Sequence, residues 1–172
     1  NSVDFTGITF GNNTFVGVGD SGKIVRSTDN GSSWDNATNT SSHLYGVTFG
    51  NNTFVGVGYY GSIVRSTDNG SSWDIATSCQ FSTNLADVTF GNNTFVAVGT
   101  SGNIVRSTDN GSSFDNVTSP ITTGIKGVTF GNNTFVAVGD SGKIVRSTAN
   151  ASSWDNATSG ISQDLNGITF GN

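Results

Sequence analysis

The chain has 172 residues, a formal net charge of -5 and 12 acidic residues, all of them aspartates. This charge excludes an electrostatic platform for nucleic acid or anionic lipid, and no apolar run has the length of a membrane span. Cys79 is the one cysteine and His43 the one histidine, so an intrachain disulfide and a cysteine-based zinc cluster are impossible. We expect no metal and no cofactor.

A unit of about 40 residues recurs along the chain and predicts the fold class. Its landmark is a phenylalanine between Thr and Gly, at positions 10, 49, 90, 130 and 170. Because a period of this length is typical of propellers and solenoids, we interpret residues 1–172 as one repeat domain. The predicted units are 7–45, 46–86, 87–126 and 127–166, and residues 167–172 begin a fifth unit.

The second unit illustrates the predicted elements, which are short runs of β-branched and aromatic residues separated by Gly and Asn. Its four predicted strands, in chain order, are 46–49, 53–57, 62–66 and 72–76. Three turns join these strands, at 50–52, 58–61 and 67–71, where Gly and Asn accept positive φ at little cost.

The second strand of every unit is apolar on both faces, with the sequence Phe-Val-Gly-Val or Phe-Val-Ala-Val. A sheet with one solvated face would alternate apolar and polar residues. The pattern therefore predicts sheets that stack on a neighbour at both faces, as radially arranged blades do. We expect an all-β fold: a β-propeller of four-stranded antiparallel blades, with four blades per chain.

An octapeptide between the third and fourth strands carries the most specific motif. The pattern Ser-x-Asp-x-Gly-x-x-Trp is complete at 27–34 and at 66–73. At 107–114 Phe114 replaces the Trp, and at 147–154 Ala149 and Ala151 replace the Asp and the Gly. Through these four copies the chain resembles the Asp-box (BNR) repeat β-propellers over nearly its full length.

The resemblance implies that the octapeptide is a folding device. Its Asp would accept backbone N–H bonds at the turn, and its aromatic residue would pack across the hairpin. The residues with this structural role are Asp29, Trp34, Asp68, Trp73, Asp109, Phe114 and Trp154. The two alanines predict a looser fourth hairpin.

One arginine in each unit precedes an aspartate by nine residues, as Arg26 precedes Asp35. On a hairpin this spacing places the two residues opposite each other and predicts a cross-strand ion pair. An arginine cluster of the kind found in sialidases is the alternative.

The antiparallel strand order predicts two ends of unequal character. The first and third turns lie at one end and are nearly identical in every unit, whereas the second turns and the connections between units lie at the other. We call the latter the variable end and place binding there, because loops on a rigid scaffold often carry function. Neutral variation in exposed loops is the alternative. The candidate binding residues are His43, Tyr45, Tyr59, Tyr60, Asp20 and Asp140.

Three functions remain open. We favour a non-enzymatic repeat scaffold or binding module with a carbohydrate or protein ligand, and the composition is typical of extracellular or cell-surface proteins. A glycan-binding lectin would use the tyrosines as stacking platforms. A sialidase-type glycoside hydrolase would need the Glu that the chain lacks, although Asp20 and Asp140 would be adjacent in a closed ring. We expect no catalytic residue.

The first strand of the unit occurs five times and the other strands four times. The surplus copy at the C-terminus either clasps the termini of a closed ring or pairs with another chain in a strand-swapped oligomer. A part of a longer propeller is the third interpretation. The near-identity of the units indicates recent amplification or deliberate design.

Overall fold

The computed structural model describes residues 4–37, 40–78 and 82–171, so Cys79 lies outside the described residues. Four sheets of antiparallel strands follow one another in chain order, which confirms the all-β prediction. We call these sheets blades 1 to 4. Within the described ranges, no helix has both the length and the apolar character that crossing a membrane would require.

Each blade contains four antiparallel strands in the order of the sequence. Blade 1 consists of β1 Phe5–Gly11, β2 Thr14–Gly19, β3 Ile24–Ser27 and β4 Asp35–Asn36. Blade 2 consists of β5 Leu44–Gly50, β6 Thr53–Gly58, β7 Ile63–Ser66 and β8 Asp74–Ile75. A short strand, β9 Thr77–Ser78, leaves blade 2 and pairs in parallel with the last strand of blade 3. Blade 3 consists of β10 Leu85–Gly91, β11 Thr94–Gly99, β12 Ile104–Ser107 and β13 Ser113–Val117. Blade 4 consists of β14 Ile125–Gly131, β15 Thr134–Gly139, β16 Ile144–Ser147 and β17 Asp155–Ala157.

The first hairpin of each blade is closed by two consecutive asparagines in the left-handed region. In blade 1 these are Asn12, with φ 49°, and Asn13, with φ 58°. Two left-handed residues form the tight turn whose twist matches that of the flanking strands, and Asn tolerates this conformation better than most residues. The turn sets the register in which Phe10 pairs with Phe15 and Gly11 with Thr14.

The octapeptide of blade 2 closes the hairpin between β7 and β8 through side-chain hydrogen bonds. The Asp68 carboxylate accepts bonds from Ser66 Oγ at 2.8 Å, from the Ser72 backbone N–H at 3.0 Å and from Ser72 Oγ at 2.6 Å. Ser66 Oγ accepts the Gly70 N–H at 2.9 Å, and the Trp73 indole donates to the Gly70 carbonyl oxygen at 3.2 Å. The octapeptide thus replaces part of the predicted fourth strand, which begins two residues later than expected.

These hydrogen bonds stabilise the ionised form of the octapeptide carboxylates. Bonds from Ser33 Oγ, the Ser33 N–H and Ser27 Oγ lower the pKa of Asp29 to about 2. Partial burial raises the pKa of Asp68 and of Asp109, but the same set of hydrogen bonds outweighs this effect, and both pKa values fall to about 2. Each of the three carboxylates therefore favours the folded hairpin when it is charged.

The fourth octapeptide keeps the same backbone path as the other three, and the looser hairpin expected from Ala149 and Ala151 stays a prediction. Ser152 N still donates to Ala149 O at 3.1 Å, and the Ala151 N–H still donates to Ser147 Oγ at 3.0 Å. Ser152 Oγ, which has no carboxylate to bind, donates to Ala149 O at 2.7 Å. The fourth octapeptide differs in its side-chain hydrogen bonds. The buried indole N–H of Trp154 has no hydrogen-bond partner among the described residues.

The arginines lie opposite their aspartates but do not pair with them. Arg26 is the cross-strand partner of Asp35, which confirms the predicted register. Among the described residues, however, no arginine forms an ion pair with an aspartate. Arg26 Nη1 instead donates to Ser71 Oγ at 2.7 Å in the octapeptide of blade 2. The arginine therefore links successive blades, as Arg106 also does by donating to Asn150 O at 3.2 Å.

Successive blades stack through a phenylalanine ring that lies over a glycine. Phe49 of blade 2 covers Gly11 of blade 1 so closely that an added Cβ would overlap the ring. The same contact recurs between Gly50 and Phe90 and between Gly91 and Phe130. Three apolar clusters fill the junctions, and each contains residues of two successive blades. The prediction that the sheets are apolar on both faces is confirmed.

The stack is open at both of its ends. Ile8 on the outer face of blade 1 is 65% exposed, whereas its counterparts Val88 and Val128 inside the stack are 4% exposed. At the other end the surplus first strand packs on blade 4, with Phe170 over Gly131, but joins none of the sheets in the described part of the chain. It does not clasp blade 1, so the first of the two predicted roles for this segment is not adopted.

Candidate functional site

The second turn of each blade is a three-residue 3-10 turn that projects from the variable end. The four turns are Asp20–Gly22, Tyr59–Gly61, Thr100–Gly102 and Asp140–Gly142. The middle residue is left-handed in every turn and is serine in three blades, but it is Tyr60 in blade 2. Because the backbone is the same in all four turns, their differences lie in the side chains.

A hydrogen bond between blades supports most of these turns. The Ser21 N–H donates to His43 Nδ1 at 3.3 Å, the Tyr60 N–H to Asn84 Oδ1 at 3.1 Å, and the Ser141 N–H to Asp164 Oδ1 at 2.9 Å. Each acceptor directly precedes the first strand of the next unit, and at the third junction the equivalent residue is Gly124, which has no side chain. His43 therefore has a structural partner as well as a place at the variable end.

Four side chains form an aromatic patch where blades 1 and 2 meet, comprising His43, Tyr45, Tyr59 and Tyr60. The rings of Tyr59 and Tyr60 are edge to face, with centroids 4.1 Å apart, and the His43 ring lies 6.1 Å from Tyr59. A hydrogen-bonding interaction with Tyr60, partial burial and the nearby Tyr45 raise the pKa of the Tyr59 hydroxyl. The Tyr59 phenol is therefore held in its neutral form beside exposed ring faces.

One carboxylate borders the aromatic patch. Asp20 Oδ1 lies 3.1 Å from His43 Nδ1, and both side chains are substantially exposed. The ring accepts the Ser21 N–H when Nδ1 is unprotonated and donates to Asp20 when Nδ1 carries a proton. The border of the patch is thus anionic and directly accessible to a ligand.

Tyr60 occupies a backbone conformation that disfavours its side chain. Its φ of 50° and ψ of 39° are left-handed, and the ring is 59% exposed. A bulky residue in this region costs of order 1 kcal/mol, and such strain is concentrated at functional sites. The other blades build the same turn with serine, so the fold does not require tyrosine at this position.

We expect Tyr60→Asn to stabilise the chain by about 0.5–1 kcal/mol, because asparagine accepts the left-handed region more readily than tyrosine. Equilibrium unfolding in urea measures the change. Ser101→Asn in the equivalent turn of blade 3 is the matched control, since Ser101 has a φ of 60° but no large ring. A loss of stability in Tyr60→Asn larger than that of the control would show that the ring stabilises the turn.

A charged cluster lies on blade 4 at the variable end. Lys126 Nζ is 2.9 Å from Asp140 Oδ1 and 2.8 Å from Asp164 Oδ2. The hydrogen bonds that Lys126 donates to Asp164 and Asp140 raise the pKa of Lys126, and the bonds from Lys126 and the Ser141 N–H lower the pKa of Asp164. Asp140 also accepts the Gly124 N–H at 3.1 Å, so its carboxylate is already engaged.

Asp87 is a partly buried carboxylate between blades 3 and 4. It occupies a position that is glycine in the other units, and it accepts the Val128 N–H at 2.9 Å and the Val88 N–H at 2.8 Å. Burial raises its pKa, and the two N–H bonds oppose this effect. The bond from Val128 crosses from blade 4 to blade 3, so Asp87 reinforces the junction between these blades.

The structure brings five of the six candidate binding residues together and separates the sixth. Asp20 and the aromatic patch share the junction of blades 1 and 2, whereas Asp140 lies in the charged cluster of blade 4. Among the described strands, blade 1 has no extensive packing against blade 4, so the closed ring in which Asp20 and Asp140 would be adjacent is not formed within one chain. Sequence reasoning missed Lys126 and Asp164, although alignment of the units shows both as departures from the repeat.

No protein-family model and no curated protein matches the sequence. Among solved structures, YCF48 from Cyanidioschyzon merolae is 18% identical, with a TM-score of 0.73 over 98% of this chain and 60% of that chain. A structure described as YCF48 bound to D1 peptide is 18% identical, with a TM-score of 0.66 over 92% of this chain and 53% of that one. An ancestral GH74 enzyme is 20% identical, with a TM-score of 0.72 over 90% of this chain and 24% of that one.

These identities show the fold alone. The chain spans 53% to 60% of the YCF48 chains and about a quarter of the GH74 enzyme. The neighbours are β-propellers, and the chain with its four antiparallel sheets aligns with them over 90% to 98% of its length. The predicted fold class is confirmed: this chain is a β-propeller with four blades.

Proposed function

We propose that the chain is a non-enzymatic binding module that holds a peptide segment of a protein partner at its variable end. The aromatic patch carries this proposal. Tyr59 and Tyr60 are 38% and 59% exposed, and one of them sits in a strained turn that the other blades build without an aromatic residue. The YCF48 structure with D1 peptide supports a peptide ligand, because it is a propeller of similar fold with a peptide bound.

The charge around the aromatic patch favours a ligand with basic and apolar side chains. Asp20 borders the patch, and the chain as a whole has a net charge of -5. Tyrosine ring faces attract Arg and Lys side chains as well as apolar groups. Lys126 does not belong to the patch, because it is paired with Asp140 and Asp164 in the charged cluster of blade 4. A peptide that combines Arg or Lys with an aromatic or aliphatic residue fits these features best.

Selection from a displayed random-peptide library tests this proposal. We expect enrichment of peptides that combine basic and apolar residues, and a loss of affinity of at least about tenfold in Tyr59→Ala and in Tyr60→Ala, as for aromatic anchors elsewhere. Ile75→Ala is the matched control, because Ile75 is 85% exposed on blade 2 but lies on β8, outside the aromatic patch. Isothermal titration with an enriched peptide provides the affinities.

Two outcomes would contradict the peptide proposal. One is that no peptide is enriched above the level bound by the Tyr59→Ala/Tyr60→Ala double variant. The other is binding to a glycan array that the same double variant abolishes. The second result would favour a lectin, because exposed tyrosine faces also suit sugar rings.

The absence of catalysis is part of the proposal. The two carboxylates considered for glycoside hydrolysis have separate partners, His43 for Asp20 and Lys126 for Asp140. A hydrolase needs two carboxyl groups on either side of one bond. Hydrolysis of a sialoside or of another glycoside that Asp20→Asn or Asp140→Asn abolishes would overturn this part.

We also propose that the chain belongs to the Asp-box (BNR) group of propellers. The support is the hydrogen-bond pattern of the octapeptide, in which the carboxylate of Asp29, Asp68 or Asp109 binds two serines of its own turn. An experimental structure in which these bonds were absent would remove that support.

A further inference from the structure

We infer that residues 164–171 of one copy of the chain pair with β2 of a second copy, so that two copies share a composite blade. This inference does not depend on the proposed ligand. It follows from the contacts that recur at the junctions between blades. At each end of the stack, residues that would take part in such a contact lack the neighbouring blade.

The first observation is the position of the C-terminal segment on blade 4. Residues 164–171 already pack on blade 4 as a first strand would, with Phe170 over Gly131, Gly167 beside Gly127 and the Leu165 N–H donating to Gly139 O at 3.0 Å. In blades 2 to 4 the corresponding strand pairs with a second strand of its own blade. The segment 164–171 has no such partner within the described residues, and Phe170 is left 42% exposed.

The second observation is the uncovered face of blade 1. Phe5, Ile8, Gly17, Val25 and Trp34 line an apolar groove of about 380 Å³. Trp34 is 42% exposed there, whereas its counterparts Trp73 and Trp154 are 8% and 6% exposed because a preceding blade covers them. Blade 1 therefore presents the surface that blades 2 to 4 bury against a neighbour.

The third observation concerns polar groups at the opposite end from the variable end. At each internal junction an asparagine amide of one octapeptide binds an asparagine and a threonine of the preceding blade, as Asn69 binds Asn12 and Thr14 at 3.3 and 2.6 Å. Among the described residues, this contact is incomplete at the two ends of the stack. Blade 4 has Asn132 and Thr134 but no following octapeptide, and blade 1 has Asn30 but no preceding blade. Thr134 is only partly buried, while its counterparts Thr14, Thr53 and Thr94 are buried.

The arginine that links blades shows the same complementarity. Arg26 and Arg106 each donate to the octapeptide of the following blade. Arg146 of blade 4 is exposed and has no following octapeptide, and the octapeptide of blade 1 has no preceding arginine. Seating blade 1 of a second copy beyond blade 4 would satisfy both groups, together with Asn30, Asn132 and Thr134.

Two strands compete for the position beside β2, and the segment 164–171 fits it better than β1. Residues 4–11 and 164–171 are identical at six of eight positions and differ at Phe5, which aligns with Leu165, and at Thr6, which aligns with Asn166. The first of these two differences bears on the fit. That position is leucine or isoleucine and wholly buried at the internal junctions, at Leu44, Leu85 and Ile125. Leu165 matches this preference and Phe5 does not, so β1 of the second copy is the strand that the segment displaces.

The contact is head to tail and uses different surfaces on the two copies. Such a contact produces a ring when the rotation closes. Two copies would supply eight blades, which lies within the usual range for propellers. The partner that fits is therefore a second copy of this chain, because only the repeat itself carries the matching strand, octapeptide and arginine.

Sedimentation equilibrium of the 172-residue chain, with matched isoleucine variants, tests the inference. We expect a discrete assembly of more than one copy. Ile168→Asp should weaken it at least about tenfold, because the residue would enter the shared apolar junction. Ile8→Asp and Ile75→Asp should leave it intact, because Ile8 lies on the displaced strand and Ile75 on β8 far from the junction.

A crosslink provides a second readout that does not depend on tolerance of a buried charge. In a Cys79→Ser background, Val16→Cys and Thr169→Cys on separate copies should form an intermolecular disulfide, because Val16 pairs with Thr9, the counterpart of Thr169. Thr9→Cys and Thr169→Cys on separate copies should not form an intermolecular disulfide. A monomer at all concentrations, or an assembly that Ile8→Asp breaks and Ile168→Asp leaves intact, would overturn the inference.

Discussion

Replacement of Gly91 by alanine is expected to destabilise the chain strongly. A Cβ at this position would overlap the ring of Phe130, which packs on blade 3 from blade 4. Either the ring leaves the junction and becomes exposed, or the two blades separate. Together the overpacking and the lost burial cost about 3–5 kcal/mol, measurable by unfolding in guanidinium chloride.

Further variants test whether the destabilisation in Gly91→Ala comes from steric overlap or from the loss of glycine flexibility. Gly131→Ala meets Phe170 in the same way, but it displaces only the C-terminal segment, so we expect a smaller loss. Gly167→Ala, where no atom lies within 4 Å of the added carbon, should be neutral. In the double variant Gly91→Ala/Phe130→Ala the ring is gone, so the two effects should fall short of additivity. Strict additivity would contradict the overlap.

Most of the fold follows from the sequence because the interactions that define it are local and repeated. The paired asparagines fix the first hairpin, and the apolar second strand requires a neighbour on each face, so four units imply a stack of four blades. The openness of the stack could not be predicted, because it depends on the rotation between blades. The parallel pairing of β9 with β13 was not predicted either, because β9 consists of only two residues in a variable connection.

The candidate site was predictable in part. Departures from the repeat identified Tyr59, Tyr60 and His43, and the structure places them in one patch. The partners of charged residues were harder to predict, because a side chain can reach the next blade as easily as its own. Arg26 illustrates this: its cross-strand neighbour is Asp35, but it donates to Ser71 of blade 2.

The two ends of the stack differ in the contacts that join successive blades. At the end opposite the variable end, the asparagine, threonine and octapeptide contacts repeat at every junction, so these residues are committed to holding blades together. At the variable end, the corresponding bonds use different acceptors, which are His43, Asn84 and Asp164, and Gly124 at the third junction has no side chain to accept one. Variation is tolerated there because the backbone of the turn stays constant, so this end can acquire a ligand without loss of the fold.

The octapeptide carboxylates should control stability, and Asp109→Ala is the test. The change removes three hydrogen bonds, from Ser107 Oγ, the Ser113 N–H and Ser113 Oγ. Because the carboxylate is largely exposed, solvent screening reduces their net effect, and we expect a loss of about 1–2 kcal/mol in urea unfolding. Asp115→Ala, an exposed aspartate on β13 that forms no ion pair, should change stability far less.

The same residue predicts how stability responds to acid. The folded-state pKa of Asp109 is lowered from 3.8 to about 2, so its contribution is fully present above pH 3.8 and is lost as the pH falls towards 2. Asp109→Ala should therefore differ from the parent chain at pH 6 and converge with it near pH 2. Conversely, Ala149→Asp would place a carboxylate beside Ser147 and Ser152 in the fourth octapeptide and should add stability that disappears over the same pH range. A difference between Asp109→Ala and the parent that stayed constant from pH 6 to pH 2 would contradict the assignment of charged hydrogen bonds to this turn.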